Sequence, residues 1–436
     1  MLVFIICGII FVSLGIIEYL KRNNHANFFV NNRQSGTILC SSSLVASCIG
    51  GSATVGLISL AYKNGFPAFW FLGVGVIGLL FLGFFFAKKI RKTQAFTMPE
   101  ILNEIAGPNV RTIASLIIIF FFLGILAAQF KALIEIVSAM TGMSNNFALW
   151  CGAALVIAYS MLGGQAAIIK SDFYQFFIIF IGIFTMAIWL FIETKPLNIS
   201  NFQIFNQEIN FKKFIDYLIF IGGSYVVGPM LFGILLSTKT EKVSKNSTIV
   251  ASIIILLLAI AITCIGILIQ NFKIENDEQI INALISNVPQ WLGILFLTIL
   301  FCAIISSADS CLITVSTIFT NDLLKTNNLK LCRLITVLIG VIGVLLTYLD
   351  ISIIDWIFIA YKIYICGVGV PIFIGLMLYN KYKIKERSFI FAMLCGSFLS
   401  LFAIFSDFNI LNYLAILISA IICFSSIKKM NVVVND

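Results

Sequence analysis

Apolar runs of about 20 residues recur along the whole 436-residue chain. A helix of that length spans the hydrocarbon core of a bilayer, and lipid admits only structures that satisfy their own backbone hydrogen bonds. With 60% hydrophobic and 11% charged residues, the chain lacks the composition of a soluble globular domain. The runs therefore predict an all-α integral membrane protein whose surroundings are the lipid bilayer.

Other residue types exclude several functional classes. The eleven cysteines lie in or beside apolar runs without CxxC pairing, and the single His25 cannot build a metal site. No G-x-x-x-x-G-K-[ST] loop for a nucleotide is present. These observations argue against an enzyme, and nothing in the sequence indicates an obligate protein partner. The net charge of +9 indicates membrane topology rather than nucleic-acid binding.

About thirteen transmembrane helices are predicted from the lengths of the apolar runs. We treat the first as an uncleaved span, because Lys21 and Arg22 follow it and no basic residue precedes it. The predicted helices cover residues 1–20, 38–62, 67–87, 110–140, 147–163, 172–192, 215–236, 247–270, 292–319, 333–349, 353–378, 388–405 and 409–427.

Lys and Arg are distributed unevenly between alternate loops. One set of loops, with the C-terminal tail, holds 21 of the 28 basic residues. Basic residues favour the cytoplasmic side, so we expect the N-terminus outside and the C-terminus in the cytoplasm of a cell (inner) membrane. This set comprises the loops 21–37, 88–111, 163–172, 237–246, 320–333 and 379–387.

Two predicted helices contain residues that interrupt a helix. Helix 2 holds Gly50-Gly51, and helix 7 holds Gly222-Gly223 and then Gly228-Pro229. Glycine is a poor helix former, and proline removes a backbone donor. Broken helices at membrane depth line ion and solute sites in transporters. The alternative is that these pairs only allow close packing or a kink.

The two interrupted helices begin successive units of five helices, helices 2–6 and 7–11. Because five is odd, the second unit is inverted relative to the first, as in many transporters. We therefore expect a single transporter domain over 1–436, with a 5+5 inverted repeat. Its predicted parts are an extra N-terminal helix and loop at 1–37, repeats at 38–192 and 215–378, and two extra helices within 388–427.

Helix 9 carries polar residues at its centre. Ala303, Ser306, Ser307 and Ser310 are three or four residues apart and share one face, and Asp309 lies beside them. Hydroxyl and carbonyl oxygens are hard ligands suited to an alkali cation, and a carboxylate at membrane depth usually marks an ion or solute path. The alternative is that the serines assist packing and bond to their own helix.

Four segments of the chain resemble the sodium:solute symporter family, whose members have the leucine-transporter-like fold. The most specific are GGQAAIIKSDFYQ at 163–175 and AIISSADSCLITVSTIFTNDL at 303–323. ASCIGGSATVGLISLAYKNG at 46–65 resembles the family's first broken helix, and TMPEIL at 97–102 resembles its T-x-P-E-x-L motif. The resemblance implies Na⁺ as the coupling ion.

The family's Na⁺ ligands can be placed residue by residue. By resemblance, the backbone carbonyls of Ala46, Ile49 and Ala303 match three ligands, and the hydroxyls of Ser306 and Ser307 match two more. A broken helix and a facing helix would thus supply five oxygens.

The resemblance also implies a second ion or proton site. Asp172 matches a carboxylate at the start of the family's sixth helix, which in some members serves a second sodium site. Asp309 and Ser310 match hydroxyl positions near it, so here a carboxylate replaces one hydroxyl. The alternative for Asp172 is a helix N-cap.

The solute should bind near the two breaks. A buried lysine needs a partner, so Lys362 would meet a carboxylate of the solute or pair with an acid such as Asp355. The solute candidates are Ser52, Thr54, Ser224, Tyr225 and Lys362.

These observations favour a Na⁺-coupled symporter that imports a small organic solute by alternating access. Two other functions stay open. A proton-coupled permease of the same fold would use Asp172 and Asp309 as proton carriers. A transport-inactive membrane sensor is the third, although the tail KKMNVVVND holds no signalling domain.

Overall fold

Long helices make up most of the structure, a computed structural model that describes residues 2–20, 25–194, 203–272, 280–379, 382–406, 408–425 and 427–429. Within this part of the chain, nine helices are long and apolar enough to cross a membrane. A tenth span consists of two helices, Thr37–Cys48 and Ser52–Asn64, that meet at a bend of 63°. The chain is therefore an all-α integral membrane protein.

The helices follow the apolar runs closely. Those of the first half are α1 Leu2–Leu20, α2 His25–Val30, α3 Thr37–Cys48, α4 Leu57–Asn64, α5 Trp70–Phe81, α6 Ala87–Lys92, α7 Met98–Ala106, α8 Pro108–Thr141 and α9 Asn145–Glu193. Those of the second half are α10 Phe211–Tyr217, α11 Gly223–Val226, α12 Pro229–Leu236, α13 Glu241–Leu268, α14 Ile280–Ser286, α15 Gln290–Ile318, α16 Leu329–Leu346, α17 Ile353–Tyr364, α18 Val370–Leu378, α19 Glu386–Phe405 and α20 Ile410–Ser425.

Several helices continue through a π-helical turn, which widens the helix locally and often occurs at functional sites. Such turns join α5 to α6 and α17 to α18, and they extend α4, α11 and α15. The turns cover Ser52–Gly56, Leu82–Phe86, Leu218–Gly222, Phe319–Leu323 and Ile365–Gly369.

The predicted count of thirteen spans is not confirmed by this structure. Phe4–Leu20 and Ile410–Ser425 are shorter apolar helices that fall below the length of the other spans. The predicted division into repeats at 38–192 and 215–378 likewise stays a prediction. The predicted loops 21–37, 88–111 and 271–290 contain the short helices α2, α7 and α14.

Helices 5 and 6 of the prediction are the two halves of α9, which meet at a sharp kink at Gly164 without an intervening loop. The predicted polar turn at 163–172 is wrong, because only Gly164 leaves the helical conformation, with φ 59° and ψ −161°. A Cβ at Gly164 would lie 2.6 Å from the ring of Phe28, so both the backbone and the space require glycine.

The span α10–α12 is interrupted at one place. Val227 and Gly228 leave the helical conformation directly before Pro229. The predicted break at Gly222-Gly223 is wrong, since both residues have helical backbone angles. The proline, which clashes with the preceding turn, marks the actual break.

The helix α15 lies at the centre of the molecule. Most of its residues are buried, and it packs against α3, α8 and α9. Two short strands, β1 Tyr382–Ile384 and β2 Ile427–Lys429, pair antiparallel beside the spans and were not predicted. The fold thus brings the broken helix α3–α4 against the polar face of α15.

Candidate functional site

The break between α3 and α4 exposes backbone groups inside the protein. Helix α3 ends at Cys48, and Ile49 has ψ 73°, which turns its carbonyl away from the helical direction. The last carbonyls of one helix and the first N–H groups of the next lack partners within their own helices. Side chains from other helices supply these hydrogen-bond partners.

Two serines of α15 reach the carbonyls at the end of α3. The Ser306 hydroxyl lies 2.9 Å from the Ala46 carbonyl oxygen and 3.0 Å from that of Ala303. The Ser307 hydroxyl donates to the Ser47 carbonyl at 3.0 Å. The structure therefore brings Ala46, Ala303, Ser306 and Ser307 together, and all four are buried.

The fifth expected ligand, Ile49, is fully buried at the break itself. Its neighbour Gly50 leaves no room for a side chain, since a Cβ there would lie 2.5 Å from Ser307 Oγ and 2.8 Å from Gln129 Nε2. Glycine at this position therefore allows α15 and α8 to approach the broken backbone closely.

Gln129 of α8 supports the start of the second half of the broken span. Its Oε1 accepts a hydrogen bond from the Gly51 amide at 2.8 Å, and its side chain is buried. An unpaired buried amide would be costly, so this bond stabilises the break. In the sequence Gln129 was only a polar residue in an apolar helix, with no signal for its partner 78 residues away.

Replacing Gln129 with leucine should lower the free energy of unfolding by about 1–3 kcal/mol, because the Gly51 amide loses its buried acceptor. Thermal unfolding of the purified protein in detergent would measure this change. Gln290→Leu is the matched control, since Gln290 is exposed at the start of α15. Equal unfolding temperatures for the two variants would show that Gln129 does not hold the break.

The ligand types at the break favour a monovalent cation. Every oxygen brought together there is a neutral hydroxyl or carbonyl, and these hard donors suit an alkali ion. Within the described residues, no group of three or more His, Cys, Asp or Glu side chains is placed to hold a metal. The site thus lacks the multiple carboxylates and soft ligands that divalent metals prefer.

Two buried carboxylates lie near this cluster. The Ser43 hydroxyl donates to Asp172 Oδ2 at 2.5 Å, and both Asp172 and Asp309 are fully buried. Among the described residues, neither oxygen of Asp309 has a hydrogen bond of ordinary geometry, although the Tyr159 hydroxyl lies beside it. Oδ1 of Asp172 is also without such a partner in this part of the chain.

The N-cap interpretation of Asp172 is wrong. Asp172 lies well inside α9, eight residues after the kink at Gly164, so its carboxylate is not at a helix start. Ser310, the neighbour of Asp309 in the sequence, lies beside the serine cluster, with its hydroxyl 3.0 Å from that of Ser47. Ser47, which was not among the predicted site residues, contacts Ser307 through its carbonyl and Ser310 through its hydroxyl.

A cavity of about 70 Å³ adjoins the two helix breaks. Of the five solute candidates, Ser52, Ser224 and Tyr225 line it. The Tyr225 hydroxyl also lies 3.4 Å from the Cys48 carbonyl, at the end of α3. Ser307 and Ser47 contribute to the same wall, so the cavity and the serine cluster share residues.

The other two solute candidates lie outside the cavity wall. Thr54 is buried, and its hydroxyl donates to the Gly50 carbonyl at 2.9 Å. Lys362 Nζ donates to Asn409 Oδ1 at 2.9 Å, away from the breaks and not to Asp355. The cavity instead has aromatic walls that the sequence analysis missed, since phenylalanine occurs in almost every span. These are Phe71, Phe121, Phe122 and Tyr361.

Comparison with known proteins supports this architecture. The model of the sodium:solute symporter family matches residues 28–224. The high-affinity choline transporter 1 of Caenorhabditis elegans is 25% identical over 323 residues, which is 67% of this chain and 55% of that protein. The sodium/proline symporter 2 of Staphylococcus saprophyticus is 26% identical over 326 residues, which is 69% of this chain and 63% of that protein. Each match thus spans less than two thirds of the relative's length.

Solved structures show the same fold. A Na⁺-coupled sialic acid symporter in a substrate-bound, outward-open state superposes with a TM-score of 0.83 at 16% identity, covering 99% of this chain and 98% of that one. A nucleobase-cation-symport-1 family transporter in a closed conformation gives 0.60 at 12% identity, covering 92% and 93%. Together with the family match, these superpositions confirm the resemblance that the motifs indicated.

Proposed function

We propose that this chain is a Na⁺-coupled symporter that imports a small organic solute. It matches the sodium:solute symporter family over residues 28–224 and has the leucine-transporter-like fold. One observation carries the proposal. The carbonyls at a helix break and the hydroxyls of Ser306 and Ser307 form a buried cluster of neutral oxygens beside a cavity. Such a cluster suits a cation that must bind and leave in each cycle.

The bound Na⁺ would hold α3 against α15. Its ligands would be the carbonyls of Ala46, Ile49 and Ala303 and the hydroxyls of Ser306 and Ser307. Each hydroxyl would offer a lone pair to the ion instead of donating its proton to a carbonyl. The solute would bind in the adjoining cavity, in contact with Ser52, Ser224 and Tyr225.

The Na⁺ gradient would drive the cycle. Moving one charge through 100 mV is worth about 2.3 kcal/mol, to which the concentration difference adds. Na⁺ can favour the outward-facing state only by binding it more tightly than the inward-facing one. A ligand set shared between α3 and α15 supplies that difference if the two helices separate when the protein opens inward.

The orientation rests on the basic loops. Four loops of the basic set contact one another: Arg33 bonds to the backbone of the 88–111 loop, Ser35 to that of the 237–246 loop, and Arg111 to Asp322 of the 320–333 loop. We assign this side to the cytoplasm of a cell (inner) membrane, with the N-terminus outside and the C-terminus inside. The last residues of the tail, 430–436, lie outside the described part of the chain.

The cytoplasmic ends of the two broken spans are joined by backbone hydrogen bonds. Ser35, just before α3, receives a bond from the Lys239 amide at 3.0 Å and donates to the Ser237 carbonyl at 3.1 Å. Arg91 Nε donates to the Thr238 carbonyl at 2.6 Å. We call Arg33, Ser35, Arg91 and Thr238 the clasp. Release of the solute to the cytoplasm would require these two span ends to separate.

Arg91→Ala should weaken the clasp and favour inward opening, with about tenfold faster labelling of Cys48 by an impermeant thiol reagent added on the cytoplasmic side. Cys48 is a suitable reporter, because it is half-buried and lines the cavity. Mass spectrometry would separate it from the other cysteines, and Na⁺ should slow the reaction. The neighbouring exposed Lys92→Ala is the control; equal labelling in the two variants would contradict a role for Arg91.

The buried pair Asp172 and Asp309 supports a second candidate, a proton-coupled permease of the same fold. Two carboxylates in one buried site cannot both be charged without a cation or a proton. Asp172, Asp309 and Ser310 would then carry the proton, whereas in the Na⁺-coupled symporter the same three residues would bind a second Na⁺. This variant differs from the main proposal in its driving ion.

Uptake into proteoliposomes tests both candidates. A panel of amino acids, sugars, carboxylates and vitamins would be measured with an inward Na⁺ gradient, with N-methylglucamine in place of Na⁺, and with an inward proton gradient alone. We expect uptake of at least one solute to require Na⁺. Uptake that is unchanged without Na⁺ but follows the proton gradient would exclude the sodium proposal and favour the permease.

A further inference from the structure

The walls of the cavity indicate what kind of solute it accepts. None of the described residues that line it is Lys, Arg, His, Asp or Glu. A solute with net charge would have to leave water without a fixed counter-ion, which is costly. Most of its hydrogen-bonding side chains already have partners within the protein. These side chains are Ser47, Ser52, Gln129, Ser224, Tyr225, Ser307 and Tyr361. A sugar would have to displace several of these bonds to pair its many hydroxyls.

One end of the cavity would be positive when Na⁺ is bound. Ser47 and Ser307 line the cavity and also belong to the serine cluster, so the ion would lie directly behind this wall. Gly50 and Ser52 line the same end, where the second half of the broken span begins. First-turn N–H groups there add positive potential. This end would attract a carboxylate and repel a cation.

The polarity changes along α8. Gln129 lies at the break, whereas Phe121 and Phe122 lie about two turns away, roughly 12 Å along the helix axis. The ring of Phe121 is 4.7 Å from that of Phe122 and 5.7 Å from that of Tyr361. All three rings line the cavity. Aromatic faces stabilise a cationic nitrogen without a carboxylate partner.

We propose that the cavity takes a small zwitterion, with its carboxylate toward the Na⁺ end and its cationic nitrogen toward the aromatic end. The inference rests on the proposed function, because the bound ion supplies the positive end. A zwitterion matches both ends and carries no net charge into the protein. A lone cation would be repelled by Na⁺, and a lone anion would gain nothing from the rings.

Two sets of matched compounds test the charge requirement on the whole protein in proteoliposomes. The first is proline, cyclopentanecarboxylate and prolinol; the second is glycine betaine, 3,3-dimethylbutanoate and choline. Within each set the compounds have similar shapes but are zwitterion, anion and cation. Uptake of the twenty amino acids and Na⁺-dependent thermal stabilisation would accompany them. We expect a zwitterion to bind at least tenfold more tightly than its anionic and cationic partners.

The outcomes separate this inference from the proposed function. Na⁺-dependent uptake of choline, of an anion or of a sugar, at least as strong as that of any zwitterion, would overturn the solute class and leave Na⁺ coupling intact. The solute class would also be overturned, with Na⁺ binding intact, if Na⁺ raised the unfolding temperature but no tested zwitterion changed uptake or stability. Zwitterion uptake that is independent of Na⁺ would instead overturn the coupling.

A variant tests the aromatic end by itself. Phe121→Leu should weaken binding of the zwitterion by about 3- to 30-fold, while binding of its anionic isostere changes little. Phe120→Leu is the matched control, because Phe120 is the adjacent residue and is 56% exposed. An equal loss for the zwitterion and the anion in Phe121→Leu would show that the ring only fills space, and would overturn the assignment of the cationic nitrogen.

Discussion

Ser306→Ala combined with Ser307→Ala should raise the Na⁺ concentration for half-maximal uptake by about 100-fold. The double variant removes two of five proposed ligands, and each bond to a charged group contributes roughly 1.5 kcal/mol, or about 3 kcal/mol together. Both hydroxyls reach the end of α3, at 2.9 Å from the Ala46 carbonyl and 3.0 Å from that of Ser47. The variant therefore weakens the connection between the two helices as well as the site.

Na⁺ titration of solute uptake in proteoliposomes would measure this effect. Thr298→Val is a suitable control, because Thr298 is a half-buried residue of α15 whose hydroxyl donates to the Ile294 carbonyl of its own helix at 2.8 Å. This control should keep the wild-type Na⁺ dependence. If the double variant also kept it, the Na⁺ site would have to lie elsewhere, with the Asp172–Asp309 pair as the next candidate.

Arg111→Leu should lower the free energy of unfolding by about 3–5 kcal/mol. Arg111 Nε lies 2.6 Å from Asp322 Oδ1, and Asp322 is fully buried while Arg111 is 15% exposed. Thr97 adds a bond to the same oxygen at 2.9 Å. Removal of the guanidinium would leave a buried carboxylate without its counter-charge, which is far more costly than loss of a surface ion pair.

Thermal unfolding in detergent would measure the loss, with Lys330→Leu as the control at an exposed position near the start of α16. That control should change stability by no more than about 0.5 kcal/mol. Asp322→Asn added to Arg111→Leu should recover most of the stability, because the uncompensated charge is gone. A double variant as unstable as the single one would show that packing, not charge, explains the effect.

The hydrogen bond from Thr97 to Asp322 also joins two of the segments that carried the family resemblance. Thr97 begins TMPEIL, and Asp322 belongs to the exit of α15. Glu100 accepts a bond from the Phe96 amide at 2.7 Å, while Thr97 accepts one from the Glu100 amide, so the T-x-P-E pattern is a helix cap. The motif therefore positions a hydroxyl that holds the buried acid of another segment.

The positions of the spans could be predicted because length and apolarity are local properties. Predicted helix 11 at 353–378 coincides with the observed span, and Gly50-Gly51 marked the bend of 63°. Gly222-Gly223 misled the prediction for the opposite reason: glycine permits a break but does not require one. Only the following proline, which cannot continue the hydrogen-bond ladder, made the break at Gly228-Pro229 necessary.

The pairings between spans could not be predicted. A helix that is apolar on all sides gives no periodic signal for the face it presents to a neighbour. Gln129 and Gly51, or Arg91 and Thr238, meet only after the helices have packed. The serine cluster was an exception, because the family motif supplied both partners. Aromatic residues carried no signal, since they occur on lipid-facing and cavity-facing surfaces alike.

The serine hydroxyls also bear on how fast the protein can complete a cycle. Ser306 and Ser307 can donate to the carbonyls of Ala46 and Ser47, so these oxygens keep partners after the ion has departed. The ion-free protein could then change between its outward-facing and inward-facing conformations without leaving these buried carbonyls unpaired. Its return step should be fast, and turnover would be limited by other steps, such as separation of the span ends at Ser35 and Thr238.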